Sequence, residues 1–174
     1  MEKLQVVLET AQGNLTLEFY PRSAPQHVRQ FINLARIKFF DGMTFSRIIP
    51  NFIIQSGNPA TWGENNPNSL KRFDIPRLKA EYDANLKHGR GTLSLARPNG
   101  EPDGGTTHFF ICTKPATSLD GQYTIFGHVI AGETVMDAIA AAPLAEGTVD
   151  QPRDRIEIKK VIVQEKPVAS EPQP

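Results

Sequence analysis

Few side chains in this sequence of 174 residues stand where they could do chemistry. The stretch Phe45 to Gly57, FSRIIPNFIIQSG, sets Arg47 and Gln55 among four isoleucines and two phenylalanines. Burying those hydrophobes is favourable, but taking a guanidinium in with them is costly unless it is paired or meets a ligand. Side chains alternate along an extended chain, so Arg47, Ile53 and Gln55 share a face. Pro50-Asn51 reads as a bend that brings Phe52 toward the same side. A second apolar run, THFFICT, sets His108 and Phe110 on one face and Phe109 and Ile111 on the other. One side of a sheet then holds a guanidinium, an amide and an imidazole around Phe52, Ile53 and Phe110. Such a patch suits a neutral, greasy ligand with a carbonyl. It does not suit a phosphate.

Other chemistries find less support. The four histidines, His27, His88, His108 and His128, have no zinc-like spacing, and Cys112 is the lone cysteine, so neither a metal nor a cofactor is expected. DGGT, Asp103 to Thr106, lacks the strand-then-helix context of a phosphate loop. Ser94, Ser118 and the histidines form no recognisable nucleophile arrangement, and a thiol at Cys112 within an apolar strand is usually inert. His27 and His88 read as structural or surface residues. Trp62 reads equally as a loop anchor or a binding residue.

The elements that must position these groups are mostly strands. LQVVLETAQGNLTLEFY alternates apolar and polar residues on either side of a Gln-Gly-Asn turn, with Leu15, Leu17 and Phe19 on one face. Ser23, with Gln26 three places on and Pro25 in the first turn, predicts a capping box. Val28, Phe31, Ile32, Leu34 and Ala35 then follow at helical spacing. Further strands are predicted in GTLSLAR, THFFICT, YTIFGHVI and RIEIKKVIV, and a second helix in GETVMDAIAAA, stopped by Pro143. Between Asn58 and Lys79 three prolines and several asparagines break the pattern, and a loop this long is usually functional or partner-facing. Short strands at turn-marked intervals plus two helices predict a mainly β, closed or nearly closed antiparallel barrel.

Bulk composition narrows the classes. The length suits one domain, read as residues 1–165, followed by a disordered Pro-rich tail over 166–174. Nineteen basic residues balance nineteen acidic ones, so neither nucleic acid nor an anionic membrane is an expected partner. The N-terminus lacks the apolar core and cleavage site of a secretory signal, and one cysteine suits a reducing compartment, so the expected location is the cytoplasm.

FSRIIPNFIIQSGNP resembles the signature of the cyclophilins, peptidyl-prolyl cis-trans isomerases. GNLTLEFYPRSAPQHVRQFINLA, FDGMTFSRIIP, HGRGTLSLAR, HFFICT, SLDGQYTIFGHVI and GETVMDAI follow in the family's order from about Val6 to Val163. The resemblance implies a closed eight-stranded antiparallel barrel capped by two α-helices. It implies a catalytic role for Arg47, with Gln55 bonding near the arginine and the substrate carbonyl. Phe52, Ile53, Phe110 and Leu119 match the proline pocket, Ala96 and Arg97 a peptide-contacting segment, and Tyr123 a rim position. His108, where glutamine is usual, falls on the same face and could add pH dependence near its ordinary pKa of ~6.5. Ser46 replaces a histidine and should face away from the site, and Ile53 stands where methionine is frequent. Ser118 stands where cyclosporin-sensitive members carry tryptophan, so cyclosporin binding is expected to be weak. Tyr123 and Arg97 are similar to bacterial-type members.

The implied chemistry explains the residue choice. Peptide C–N rotation faces a barrier of ~18–20 kcal/mol, and X-Pro bonds populate both isomers yet exchange slowly. No bond need break, so a catalyst has only to favour the twisted amide, in which the proline nitrogen regains its lone pair. A guanidinium can donate to that nitrogen or to the displaced carbonyl. Two functions remain open: an isomerase acting on proline-containing peptides and unfolded proteins, a monomeric folding helper; or a proline-peptide binding module with incidental catalysis.

Overall fold

Alternating apolar residues form β1 (Leu4–Thr10), whose Val6 and Leu8 are fully buried, and β2 (Gly13–Phe19), whose Leu15, Leu17 and Phe19 join the same core. The computed structural model describes residues 1–167. Six more strands complete one sheet: β3 (Arg47–Ile49), β4 (Ile53–Ser56), β5 (Thr92–Leu95), β6 (Phe109–Cys112), β7 (Ile125–Ala131) and β8 (Ile158–Glu165). Every pairing is antiparallel, and the order across the sheet is β3-β4-β6-β5-β7-β2-β1-β8.

That order corrects the closed barrel expected from the sequence. β3 and β8 are the edges of an open, half-barrel sheet, and no ladder joins them. β3 has only three residues, and Pro152, in the segment that runs beside it, has no N–H for a ladder. Scattered backbone bonds bridge the gap instead. Gly42 N–H donates to Ile158 O at 2.8 Å, Phe45 N–H to Ile156 O at 2.9 Å and Ile48 N–H to Asp150 O at 2.7 Å. The edge strand that carries Arg47 is therefore held from outside by an irregular chain segment.

Helix α1 (Pro25–Arg36) lays Val28, Phe31, Ile32 and Ala35 on the sheet, and α2 (Glu133–Ala140) buries Met136 and Ile139. Phe31 sits at the centre of an aromatic cluster, with ring centroids 4.8 Å from Phe40, 5.4 Å from Phe109 and 5.5 Å from Phe126. The predicted Ser23 capping box does not form. Pro25 opens the helix as expected, but Ala24 is the N-cap, and Ser23 Oγ donates to Asp83 at 2.6 Å. Glu81 takes the capping role, accepting from the backbone N–H of Gln26 and of His27 and lying 2.7 Å from His27 Nδ1. A carboxylate is well placed there because the first N–H groups lack helical partners and the dipole is positive at that end.

The segment from Asn58 to Lys79 is irregular apart from a 3-10 turn, Pro59–Thr61, but it is tied to the core. Trp62 Nε1 donates to Phe39 O at 3.1 Å, and its ring meets Phe39 edge-on at 5.1 Å. Asn66 and Asn68 side chains donate to Asp41 O and Lys38 O, each at 2.8 Å. The asparagines that broke the pattern thus satisfy backbone carbonyls after α1. Trp62 is a loop anchor. Of the tail expected to be disordered, Lys166 N–H donates to Lys3 O at 2.7 Å, and residues 168–174 lie outside the described residues.

Candidate active site

Pro50-Asn51 does more than bend a strand. Asn51 adopts φ +59°, and the chain reverses into a hairpin in which Arg47 pairs with Gln55, Ile48 with Ile54 and Ile49 with Ile53. Period-two alternation sends Ile48 and Ile54, both fully buried, into the main core. Arg47, Ile49, Ile53 and Gln55 are left on the other face, where all four line one cavity. β4 next pairs with β6, setting Gln55 opposite Phe110 and Ile53 opposite Cys112. β5 follows, with Ser94 opposite Phe110. Arg47, Gln55, Phe110 and Ser94 therefore form one row across four strands.

The apolar residues of this face form a cluster of their own, separate from the main core. Ile53, Phe110, Cys112 and Ala116 are buried in it, with Phe52, Ala96, Leu119 and Tyr123 packed against them. Leu119 is delivered by a 3-10 turn, Thr117–Leu119, whose last N–H donates to Ala116 O at 2.9 Å. Tyr123 meets Phe110 edge-on at 5.5 Å. A cavity of about 530 Å³ opens above this floor, and all ten residues singled out in the sequence line it: Arg47 and Gln55 at one side, Phe52, Ile53, Phe110 and Leu119 at the base, and Ala96, Arg97, His108 and Tyr123 around the rim. A half-apolar pocket with a few convergent polar groups is the usual form of a ligand site.

Polar groups around the cavity are fixed by contacts the sequence does not display. Arg47 Nε donates to Asp150 Oδ2 at 2.8 Å, and among the described residues the outer guanidinium nitrogens have no other partner. His108 holds Ala96 in place, its carbonyl accepting from Ala96 N–H at 2.8 Å, and burial pushes its imidazole pKa below the ordinary 6.5. Burial likewise pushes the Cys112 thiol up to about 12, so it is no nucleophile. Ser46 is absent from the cavity lining but borders a second bay, which shares Arg47, Gln55 and His108 with the first. Among the described residues no cluster of three His, Cys, Asp or Glu side chains could hold a metal.

One arrangement escaped the sequence reading. Ser94 Oγ lies 2.9 Å from His88 Nε2, and His88 Nδ1 lies 3.0 Å from Asp120 Oδ1. The order Ser-His-Asp looks hydrolytic, but Ser94 is 0% exposed and no substrate can reach it. The relay is structural: His88 stacks on Phe110 at 6.1 Å with the rings 15° from parallel, backing the cavity floor. Ile49, Pro98, Asn99, Gly104 and Thr106 also line the cavity and were missed. Ile49 follows Arg47 by two and was legible by alternation; the others lie in an aperiodic loop.

The sequence pattern described as cyclophilin type peptidyl-prolyl cis-trans isomerase/CLD matches residues 5–163. The chain belongs to the cyclophilin family. It is 37% identical over 162 residues to peptidyl-prolyl cis-trans isomerase-like 1 of Gibberella zeae, covering 92% of this chain and 94% of that protein. It is also 36% identical over 157 residues to the same organism's peptidyl-prolyl cis-trans isomerase-like 2, a longer protein of which it spans 26%. A peptidyl-prolyl cis-trans isomerase of Helicobacter pylori (strain J99) is 35% identical over 148 residues, 83% of this chain and 86% of that one. Among solved structures, a cyclophilin-type isomerase of Cryptosporidium parvum in the presence of the dipeptide Ala-Pro superposes with a TM-score of 0.81 at 26% identity, covering 93% and 99% of the two chains. The cyclophilin fold and a peptidyl-prolyl cis-trans isomerase activity are thus those of this chain's family. No helix among the described residues of this cyclophilin is long and apolar enough to cross a membrane.

Proposed function

We propose that this cyclophilin accelerates isomerisation of X-Pro bonds in flexible or unfolded segments of proteins, acting as a monomeric folding helper in the cytoplasm. The proline ring rests on Phe110, walled by Phe52, Ile53 and Leu119, and the peptide backbone passes Ala96, Arg97 and Tyr123. Arg47 donates to the proline nitrogen or the turning carbonyl, an interaction stronger in the twisted amide than in either planar isomer. Gln55, opposite Arg47 across the hairpin, fixes the carbonyl or the guanidinium. The apolar floor excludes water, which strengthens those hydrogen bonds. His108 is read as a rim group, and weak cyclosporin binding is retained as part of the proposal on account of Ser118. No nucleic acid, membrane or cofactor enters it.

The observation that carries this reading is the row of Arg47, Gln55 and Phe110 over an apolar cluster distinct from the main core. A pure docking module would need the apolar cluster but not a guanidinium and an amide in register beside it. The loop from 58 to 79, the segment best suited to docking, is anchored to the core through Trp62, Asn66, Asn68 and Phe73 and lines no part of the cavity. The test is cis-to-trans conversion of an X-Pro tetrapeptide at low temperature, with wild type and Arg47→Ala, the fold being checked by circular dichroism. The variant is expected to lose about 100-fold or more in kcat/KM. Full activity in a folded variant would remove Arg47 from the mechanism.

A further inference from the structure

The cavity is lined by two arginines and by no carboxylate. Its titratable residues are Arg47, Arg97, His108 and Tyr123. Arg47 is compensated from outside, because Asp150, 2.8 Å from its Nε, borders the neighbouring bay rather than this cavity. His108 tends away from the charged form, since burial lowers its pKa.

Arg97 is in a different position. Its guanidinium carbon lies 4.7 Å from the centroid of the Tyr123 ring, Nε donates to Gln122 O at 3.1 Å, and Nη1 donates to Pro98 O at 3.2 Å. All three partners are neutral, and among the described residues no carboxylate pairs with Arg97. The acids of the adjoining loop are engaged elsewhere: Glu101 accepts from Arg77 Nη1 at 2.5 Å, and Asp103 accepts from Ala80 N–H at 2.8 Å. The rim thus carries a cation that is half-buried, held in one orientation and left without a counter-charge.

We infer that Arg97 is a specificity residue that favours substrates with a carboxylate side chain immediately before or after the proline. The inference rests on the isomerase reading above, in which a peptide seated over Phe110 must leave the cavity past this rim. An arginine already fixed on an aromatic face loses little further freedom on pairing, so a carboxylate at the rim gains attraction at small entropic cost. Lysine at the same substrate position meets an uncompensated like charge on Arg97. Arginine's planar fork also matters: a lysine at 97 keeps the charge but cannot lie flat on Tyr123.

The experiment compares peptides that differ only in the residues flanking proline, with Glu, Gln or Lys before or after it, each corrected for its own uncatalysed rate. The reading is the ratio of kcat/KM for the Glu peptide to that for its Gln counterpart. Wild type at low salt should give a ratio of about two to five at one flanking position, the size of an exposed ion pair, with Lys below Gln. Raising salt to about 0.5 M should bring the ratio toward one, since the screening length is already ~10 Å at 0.1 M. Arg97→Gln should abolish the ratio and Arg97→Lys should reduce it; because each variant is its own reference, any loss of overall rate does not disturb the comparison. A wild-type ratio of one at both positions, with all peptides accelerated, overturns the specificity and leaves the isomerase standing. A ratio that survives in Arg97→Gln assigns the preference elsewhere and overturns the inference. Absence of acceleration for every peptide overturns the isomerase reading and this inference together.

Discussion

Asp150 holds Arg47 from 103 residues away: its carboxylate accepts from Arg47 Nε at 2.8 Å, and its own carbonyl accepts from Ile48 N–H at 2.7 Å. One residue thus fixes both the edge strand and the guanidinium it carries, and does so from the irregular segment that replaces a closing ladder. Removing the acceptor should let the guanidinium wander. Asp150→Ala is expected to lower kcat/KM about two- to five-fold, modest because the two side chains are 45% and 30% exposed. Asp150→Asn keeps an oxygen for Nε and should stay closer to wild type. Equal losses in the two variants, measured in the tetrapeptide assay, would mean that charge rather than placement matters.

The pH dependence of activity should run through His108. Its pKa lies below the ordinary 6.5 because burial disfavours the imidazolium. Acidification through that lowered pKa puts a third cation beside Arg47 and Arg97. We expect kcat/KM to be level above neutrality and to fall on the acid side, and His108→Gln to flatten the profile. An unchanged acid limb in that variant would assign the titration to another group.

Stability should fall over a related window. His27, His88 and His108 all have pKa values lowered from 6.5, with burial the largest cause. A folded-state pKa below the unfolded one means that the unfolded chain binds more protons as pH drops past ~6.5. The contribution is therefore fully present above the unfolded value and is lost as pH falls through the folded values. Asp83 and Asp120, lowered from 3.8 chiefly by hydrogen bonds, act only in a more acidic range. A Tm that is flat from about pH 7.5 down to pH 5 would contradict this account.

Gly57 ends β4 beside the site at φ +87°, and a Cβ there would stand 2.2 Å from Thr107 O. Backbone cannot yield as a flexible side chain can, so Gly57→Ala is both strained and crowded. A cost of about 2 kcal/mol or more is expected, lowering Tm by roughly 4–8 °C. Thermal unfolding decides it.

Trp62, the only tryptophan, offers a control remote from the chemistry. Trp62→Ala removes the hydrogen bond to Phe39 O and the edge-on packing on Phe39, which should destabilise the protein by about 3 kcal/mol. Its kcat/KM on a short peptide should stay at the wild-type value at temperatures where the variant is folded. A large loss would mean that the loop contributes to the cavity.

The local pattern of the chain determined most of the strands, the two helices and the common face of Arg47, Ile53 and Gln55, because alternation and helical spacing record which side of an element meets water. Of the ten lining residues, Arg47, Phe52, Ile53, Gln55, His108 and Phe110 were legible from the strands and Ala96, Arg97, Leu119 and Tyr123 from the family blocks alone; Arg47 and Gln55 keep a common face because the turn between Ile49 and Ile53 holds three residues. Contacts between distant segments were left to the tertiary structure. Asp150 on Arg47, Glu81 on the first turn of α1, and His88 behind Phe110 each join residues 22 to 103 positions apart. Such pairs leave no periodic mark, as each needs only one polar or aromatic atom in the right place. The open seam between β3 and β8 was settled the same way: a three-residue strand beside an irregular segment cannot sustain a ladder, and only the packed chain shows which stray N–H groups bridge the gap.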